Sequence, residues 1–433
     1  MNGKMKGLFC LVLLYLLIPV AASAAEQAPV GSSKDAGSLF ERTGGYIHPF
    51  LSLTEYYTDN VFNTRNNEKE DYVTIISPGI WLAAPRVKER LYDIETSSVT
   101  PGGAPLTRFF PRAPGRYQAY VLYRADIERF AKETSENTEN HRVDAMLQYN
   151  FRGGLSIDLM NQFLKTHNPR GTGDIDTDLD EFDANYFSTV LSYQLSDSLL
   201  LRLDYGNYSI NYTSEGDDFR DRMDNSASAY VFYKVGPRTA LFGQYQFIDI
   251  NYDKDVLPDN EEHNMFLGIR KEVTAKSLIM LKAGYGIKDF DKSTVDTKNT
   301  FLAEAQVRHN FTPKTSAGLI ISRRTNESDI TADSYVVSDN IGIEYNQRIT
   351  NKIAGALRLS YTSDKYKGED ITVAGEGTKQ RKDKYYSGGP SFIYKFKEWL
   401  SAELGYVYTK RDSNFRSFDY TNNTVSFRIT GSL

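Results

Sequence analysis

Several things that a soluble enzyme relies on are scarce in this chain of 433 residues. It has one cysteine, Cys10, inside the N-terminal apolar stretch. If that stretch is removed, the mature protein has no disulfide, no thiolate chemistry and no metal site built on Cys. Histidines number five. His141, His167 and His263 fall toward expected strand ends, but no Ser or Asp near them completes an acid–base constellation. The chain is therefore not read as an enzyme: no catalytic residue, no cofactor and no metal is expected. Proline is sparse, at 14. Beyond the N-terminus no apolar run approaches the ~18 residues of a spanning helix. A mean hydropathy of −0.48 is too polar for a helical membrane bundle. Positive charge is not in excess either, with 51 Lys and Arg against 56 Asp and Glu, so nothing suggests a nucleic-acid partner.

The one long apolar stretch reads as a Sec signal peptide, residues 1–24. Lys4 and Lys6 give a positive start, Leu8 to Val20 an apolar centre, and Ala22-Ser23-Ala24 a small-residue cleavage site. Its removal takes the net charge from −5 to −7, because Lys4 and Lys6 go with it. Residues 25–43 are short, polar and Gly/Ser-bearing, which suits a flexible periplasmic leader.

What the chain does have is a tandem array of long two-stranded units from Phe182 to Asp364, with a period of about 38 residues. Each unit carries one tight turn: Ser196-Asp197, Gly236-Pro237, Thr274-Ala275-Lys276, Thr312-Pro313-Lys314 and Thr350-Asn351-Lys352. The flanks alternate strictly. Leu199, Leu201, Leu203 and Tyr205 point one way, and Arg202, Asp204 and Gly206 the other. Ile279, Leu281, Ala283 and Tyr285 are set against Lys282, Gly284 and Lys288 in the same manner, and Ile353, Leu357, Leu359 and Tyr361 against Arg358 and Ser360. Period-two alternation means strands with one apolar and one polar face. The strands run about 12 to 15 residues, against the usual 5 or 6 of globular sheets. A propeller blade would fit four short strands into a similar period.

The expected fold is all-β: a transmembrane antiparallel up-and-down outer-membrane β-barrel of about 18 strands, spanning residues 44–433. An even strand number puts both ends and the tight turns on the periplasmic side. The longer connections, near 58–70, 168–181, 213–221, 253–260, 325–334, 364–381 and 411–415, are polar and expected outside the cell. Two aromatic girdles are expected at the membrane interfaces. Tyr193, Tyr233, Phe311, Tyr345 and Phe396 would form one near the tight turns, and Tyr208, Tyr212, Tyr252, Phe290 and Tyr366 the other. The chain alternates to its end, Val425 to Leu433, as terminal strands recognised by barrel-assembly machinery do.

Near the N-terminus, Pro49-Phe-Leu-Ser-Leu-Thr-Glu-Tyr-Tyr-Thr-Asp59-Asn60-Val-Phe62 is followed by Asp71-Tyr-Val-Thr-Ile-Ile-Ser-Pro78-Gly79-Ile80. This resembles the opening of the putative β-barrel porin 2 family, whose members begin with a Pro-bearing strand, an Asp-Asn-Val/Ile-Phe turn and a Ser-Pro-Gly strand. Members are commonly encoded beside exopolysaccharide synthesis and secretion systems. The resemblance therefore implies an outer-membrane barrel linked to polysaccharide export, and carries over no catalytic residue. In their own right, Asp59-Asn60 fits a surface turn, and Pro78-Gly79 within a strand points to a bulge or bend.

Charges on the lipid face would cost about 2 to 4 kcal/mol each near the midplane, so those on the alternation should face the lumen. The candidates are Arg202, Asp204, Arg270, Lys282, Glu304, Arg308, Glu344, Arg348, Arg358 and Glu403. They either brace the barrel as ion pairs or line a wet pore suited to sugars or small solutes, and their mixed sign argues against strong ion selectivity. Asp174, Asp176, Asp178 and Asp180 place carboxylates at alternate positions of one loop, read as a solvated acidic loop or a weak calcium site bridging to lipopolysaccharide. Residues 85–115 break the pattern with five prolines and five basic residues. That segment is expected to enter the lumen as a constriction, to meet a periplasmic export component, or to be a disordered insert.

The functional expectation is an outer-membrane pore of a Gram-negative bacterium that assists exopolysaccharide export. The alternatives are a passive diffusion porin for small solutes and a non-conducting surface barrel. The expected partners are outer-membrane lipid and lipopolysaccharide, the barrel-assembly machinery, and polysaccharide with its periplasmic export components.

Overall fold

A computed structural model describes residues 45–87, 94–104, 115–168, 179–214, 216–274, 276–291, 297–328 and 333–432. The expected signal peptide, 1–24, and leader, 25–43, lie outside the described residues. The first strands are β1 (Gly45–Thr58), β2 (Asp71–Val87), β3 (Tyr117–Phe130), β4 (Thr138–Asn150), β5 (Leu155–His167) and β6 (Glu181–Gln194). Next come β7 (Leu199–Tyr212), β8 (Arg222–Gly236), β9 (Thr239–Tyr252), β10 (Asn260–Thr274), β11 (Ser277–Phe290) and β12 (Lys298–Thr312). The series continues with β13 (Thr315–Asn326), β14 (Asp333–Arg348) and β15 (Ile353–Gly368). A separate small hairpin, β16 (Ile371–Val373) and β17 (Gly377–Lys379), sits in the connection that follows. The last three are β18 (Lys382–Lys397), β19 (Leu400–Ser413) and β20 (Tyr420–Ser432).

Apart from that hairpin, the strands form one 18-stranded antiparallel sheet in which chain neighbours are sheet neighbours. The sheet closes because β1 pairs with β20, from Phe50 opposite Ser432 to Thr58 opposite Thr424. The all-β, 18-stranded expectation therefore holds. No described helix is long and apolar enough to cross a membrane.

Polarity is inverted relative to a soluble protein. Leu267 is 78% exposed, Met265 59% and Phe301 58%, while the guanidinium-bearing Arg381 is 0% exposed. A contiguous apolar outer surface of this kind requires lipid as its solvent.

The closing seam is locked at its long-loop end. Asn60, fully buried, donates to the carbonyls of Thr64 (2.7 Å) and Thr421 (2.9 Å), and its side-chain oxygen accepts from the Thr64 amide (3.0 Å). Asp59 accepts from both the backbone and the side chain of Asn423, each at 2.7 Å. The Asp59-Asn60 turn thus ties the first hairpin to the last strand.

Two local expectations are corrected. The register of β2 against β1 runs unbroken through Leu51–Pro78 and Phe50–Gly79, so Pro78-Gly79 is not a bulge. Gly79 is small because the Phe50 ring lies over it; a Cβ there would come within 2.2 Å of that ring. The second aromatic girdle is also wrong. Tyr208, Tyr212 and Tyr366 are buried inside the barrel, with Tyr212 beneath the Arg220 guanidinium (3.9 Å) and Tyr366 beneath that of Arg381 (4.7 Å). Tyr252 donates to Glu327 at 2.8 Å, and Phe290 packs on Tyr335. All five sit at even positions of strands whose odd positions face lipid. Outward aromatics of the long-loop half are instead Tyr245, Tyr285, Phe301, Tyr386 and Tyr406. The tight-turn girdle keeps Tyr193, Tyr233, Tyr345 and Phe396, all exposed.

Replacing Asn60 with Ala strips the Thr421 carbonyl of its partner across the seam, and the Thr64 carbonyl and amide of theirs within the turn. Asn60→Ala should lower the unfolding free energy by about 1–3 kcal/mol. Urea unfolding of the barrel in lipid vesicles measures this, and an unchanged midpoint would show that the seam does not depend on the turn.

Candidate functional site in the barrel lumen

Inside a strand barrel, residues two apart share a face about 6.6 Å apart, within reach of an Arg side chain folded back on a carboxylate. The lumen uses that spacing repeatedly. Arg142–Asp144 (2.8 Å), Arg202–Asp204 (2.6 Å), Arg222–Asp224 (3.0 Å) and Arg381–Asp383 (2.7 Å) are each an Arg-x-Asp pair on one strand or at its start. Pairs between strands add to them. Lys282 meets Glu304 at 3.2 Å and the Gln244 side chain at 3.0 Å. Lys288, 2% exposed, is held by Glu262 (3.1 Å), Glu327 (2.6 Å) and Asn260 (2.6 Å).

Part of the segment that breaks the strand pattern lies within this lumen. Ile94 to Ala104 is tied to inward side chains from several parts of the wall. The Ile94 carbonyl accepts from Arg142 (2.7 Å) and Gln162 (2.5 Å), and the Thr96 hydroxyl donates to Gln162 (2.8 Å). Further along, Ser98 reaches Asn168 (3.1 Å) and the Val99 carbonyl accepts from the Glu327 amide (2.7 Å). At the tip, the Gly102 amide donates to Asp224 (2.9 Å). Gly102 and Gly103 both have left-handed φ, 69° and 70°. A Cβ on Gly103 would fall 2.5 Å from the Tyr208 ring, so the tip needs glycine for conformation and for room. Beside the segment an apolar cluster fills one side of the lumen, including Trp81, Leu122, Met146, Met160 and Ile210. On the other side remains a cavity of about 140 Å³, lined among others by Asp204, Gln244, Asn264, Lys282, Glu304 and Arg324.

All ten charges expected to line the lumen occupy inward positions of their strands. The structure brings Arg202 to Asp204, Lys282 to Glu304, Arg358 to Glu344 (3.5 Å) and Glu403 to Arg428 (3.9 Å). Arg270 lies nearer the tight turns, 3.6 Å from Glu272, and Arg308 and Arg348 share that end. Of the acidic loop, Asp174, Asp176 and Asp178 lie outside the described residues. Asp180 is taken by Arg220 (2.5 and 3.0 Å) and by Asn168 (2.8 Å). Among the described residues, no group of three or more His, Cys, Asp and Glu could hold a metal ion. His141 and His263 face outward, bonded to Tyr123 (3.2 Å) and Tyr245 (2.8 Å), and His48 stacks on Trp81.

Sequence reasoning missed Arg142, Asp144, Arg222, Asp224 and Arg381. The Arg-x-Asp spacing in alternating strands was the available signal for them. Lys288 was legible as a polar-face residue, but its partners Glu262 and Glu327 were not: they come from another strand and a connection, which no local pattern links.

A closed barrel with an apolar exterior and a charged, partly filled lumen is a porin-like outer-membrane β-barrel. The chain belongs to the putative β-barrel porin 2 family, which it matches over residues 115–432. That match begins after the Pro49–Ile80 hairpin. No curated protein matches the chain. Among solved structures it is similar to OccAB4 of Acinetobacter baumannii, 11% identical over 90% of this chain and 99% of that one, with a TM-score of 0.45. It is also similar to a BenF-like porin of Pseudomonas fluorescens Pf-5, 9% identical over 89% and 99%, TM-score 0.43. A third is the outer membrane protein OpdK of Pseudomonas aeruginosa, 9% identical over 89% and 99%, TM-score 0.42.

Glu327 lies in the connection after β13. Burial pushes its carboxyl up, but Lys288, Arg222 and the Tyr252 hydroxyl together hold it below its ordinary 4.5. A depressed folded value means that its contribution to stability is full above pH 4.5 and lost as pH falls through the lowered value. Acid should therefore loosen the Val99 tether only below the usual carboxylate range, read as faster amide exchange at Glu327. Lys288→Met leaves Glu262 and Glu327 buried without their cation and should cost about 3–5 kcal/mol in the same urea assay. A loss under about 1 kcal/mol, the size of a surface pair, would mean that the pair is effectively solvated.

Proposed function

We propose that this barrel is a passive diffusion porin for small polar solutes. The observation that carries the reading is the Ile94–Ala104 segment, anchored to Gln162, Asp224 and the Glu327 amide inside the lumen. A hydrated polysaccharide strand would have to break that set of buried hydrogen bonds along its path, each about 0.5–1.5 kcal/mol net. A small solute has only to fit the cavity that remains. Its lining of amide side chains and paired charges of both signs suits hydrogen-bonding solutes and gives little ion selectivity. Exopolysaccharide export is the weaker reading on this geometry. Membership of a porin family supports reading the protein as a channel rather than an enzyme, with residues 1–24 as its cleaved export signal.

Planar-bilayer recording tests the proposal. The native barrel should conduct in small steps, and a variant with residues 94–104 replaced by a short Gly/Ser link should conduct several-fold more, as lumen cross-section sets conductance. A barrel silent in both forms would be a filled, non-conducting one. Loss of surface polysaccharide in a deletion strain would return the export reading to first place.

A further inference from the structure

Charges of both signs are paired around the cavity beside the Ile94–Ala104 segment, but the balance fails nearer the tight turns. Glu304 lines the cavity, and Arg308 follows it on β12, four residues and about 13 Å further along the lumen wall. Register places Arg308 in one lateral row with Gly318, Glu344 and Arg358 on β13, β14 and β15. Arg348 lies four residues beyond Glu344 on β14, on the same inward face. From this row to the turns, the inward positions of β12–β15 carry three cations against one carboxylate, a balance of +2.

That carboxylate is also withdrawn from the lumen water. Glu344 is 2% exposed, and one of its oxygens accepts from Asn346 at 2.6 Å and meets Arg358 at 3.5 Å. The cations are more open. The Arg358 side chain is 40% exposed, and Arg308 is exposed with no acceptor among the described residues. The Nε of Arg348 is buried and has no acceptor among them either. Buried donors of this kind ordinarily have one. Inward charges on either side of the set are matched, Arg270 with Glu272 (3.6 Å) and Arg428 with Glu403 (3.9 Å). A solute that leaves the cavity toward the tight turns therefore meets guanidinium groups whose countercharge is shielded.

We infer that the tight-turn half of the lumen binds small organic oxyanions, carboxylates or phosphate esters, on Arg308, Arg348 and Arg358. The inference rests on the diffusion reading and names the class of solute. A planar guanidinium presents paired donors that match two oxygens of a carboxylate or phosphate, which a lysine does not. Selection that the balanced cavity lacks is supplied by this stretch of the wall.

Isothermal titration calorimetry of the full barrel in detergent, with glucose 6-phosphate, gluconate and glucose, tests this. At least one of the two anions should bind and glucose should not, and the anion that binds tells phosphate from carboxylate. Arg308→Gln with Arg348→Gln should weaken binding by about ten-fold or more, the loss of a charge-assisted hydrogen bond. Lys276→Gln with Lys314→Gln, in the turns, should leave it unchanged, with β-sheet circular dichroism checked for both variants. No heat from either anion, or equal binding of glucose, overturns the inference and needs no variant to fold. Undiminished binding by the arginine variant, or an equal loss in the turn-lysine variant, overturns it as well. Calorimetry does not depend on conduction, so a barrel that binds the anions but is silent in planar bilayers fails the diffusion reading alone.

Discussion

In hydrocarbon there is no water to satisfy a backbone amide or carbonyl, so a sheet that crosses a membrane has to leave no edge. The pairing of β1 with β20 is where this chain meets that requirement. Every other feature presupposes it. Strand length, the outward apolar face and the short turns on one side would only make an aggregating ribbon if the first and last strands did not find each other. The seam is accordingly more than a ladder. Asn60 and Asp59 reach over from the first hairpin to Thr421 and Asn423, so that the two most distant parts of the sequence are joined by side chains as well as by backbone.

Closure creates an interior too wide for a single layer of side chains to fill. The protein deals with that space in two ways. Inward Arg and Asp two residues apart neutralise each other along their own strand, which keeps the charges desolvated together and leaves few of them facing across the lumen. Then the Ile94–Ala104 segment occupies part of what is left, its polar groups satisfied by those same inward side chains. Asp224 serves both purposes, pairing with Arg222 and receiving the Gly102 amide. Bracing the wall and narrowing the lumen are therefore one set of interactions, which is why the narrowing can be stable without a separate core of its own.

The same inside–outside alternation governs the surface. Beyond the apolar band outward positions include aromatic and then charged residues, with Lys365 opposite Lys382 on β15 and β18 and Asp249 opposite Glu261 on β9 and β10.

Strand content, strand number and the inward face were legible in the sequence, because each follows from local alternation of period two. Alternation alone placed Arg202, Lys282, Glu304, Glu344, Arg358 and Glu403 inward. The error over Tyr208, Tyr212 and Tyr366 arose where closeness to a loop was weighed above parity, and Pro78-Gly79 was misread because the Phe50 ring that explains Gly79 belongs to another strand. What tertiary structure decided was everything that depends on curvature. Only a closed barrel brings Glu327 to Lys288, Asn168 to Ser98 and Asn423 to Asp59. The sequence determined which way each side chain points. Closure, by fixing how far apart opposite walls stand, determined what each one meets.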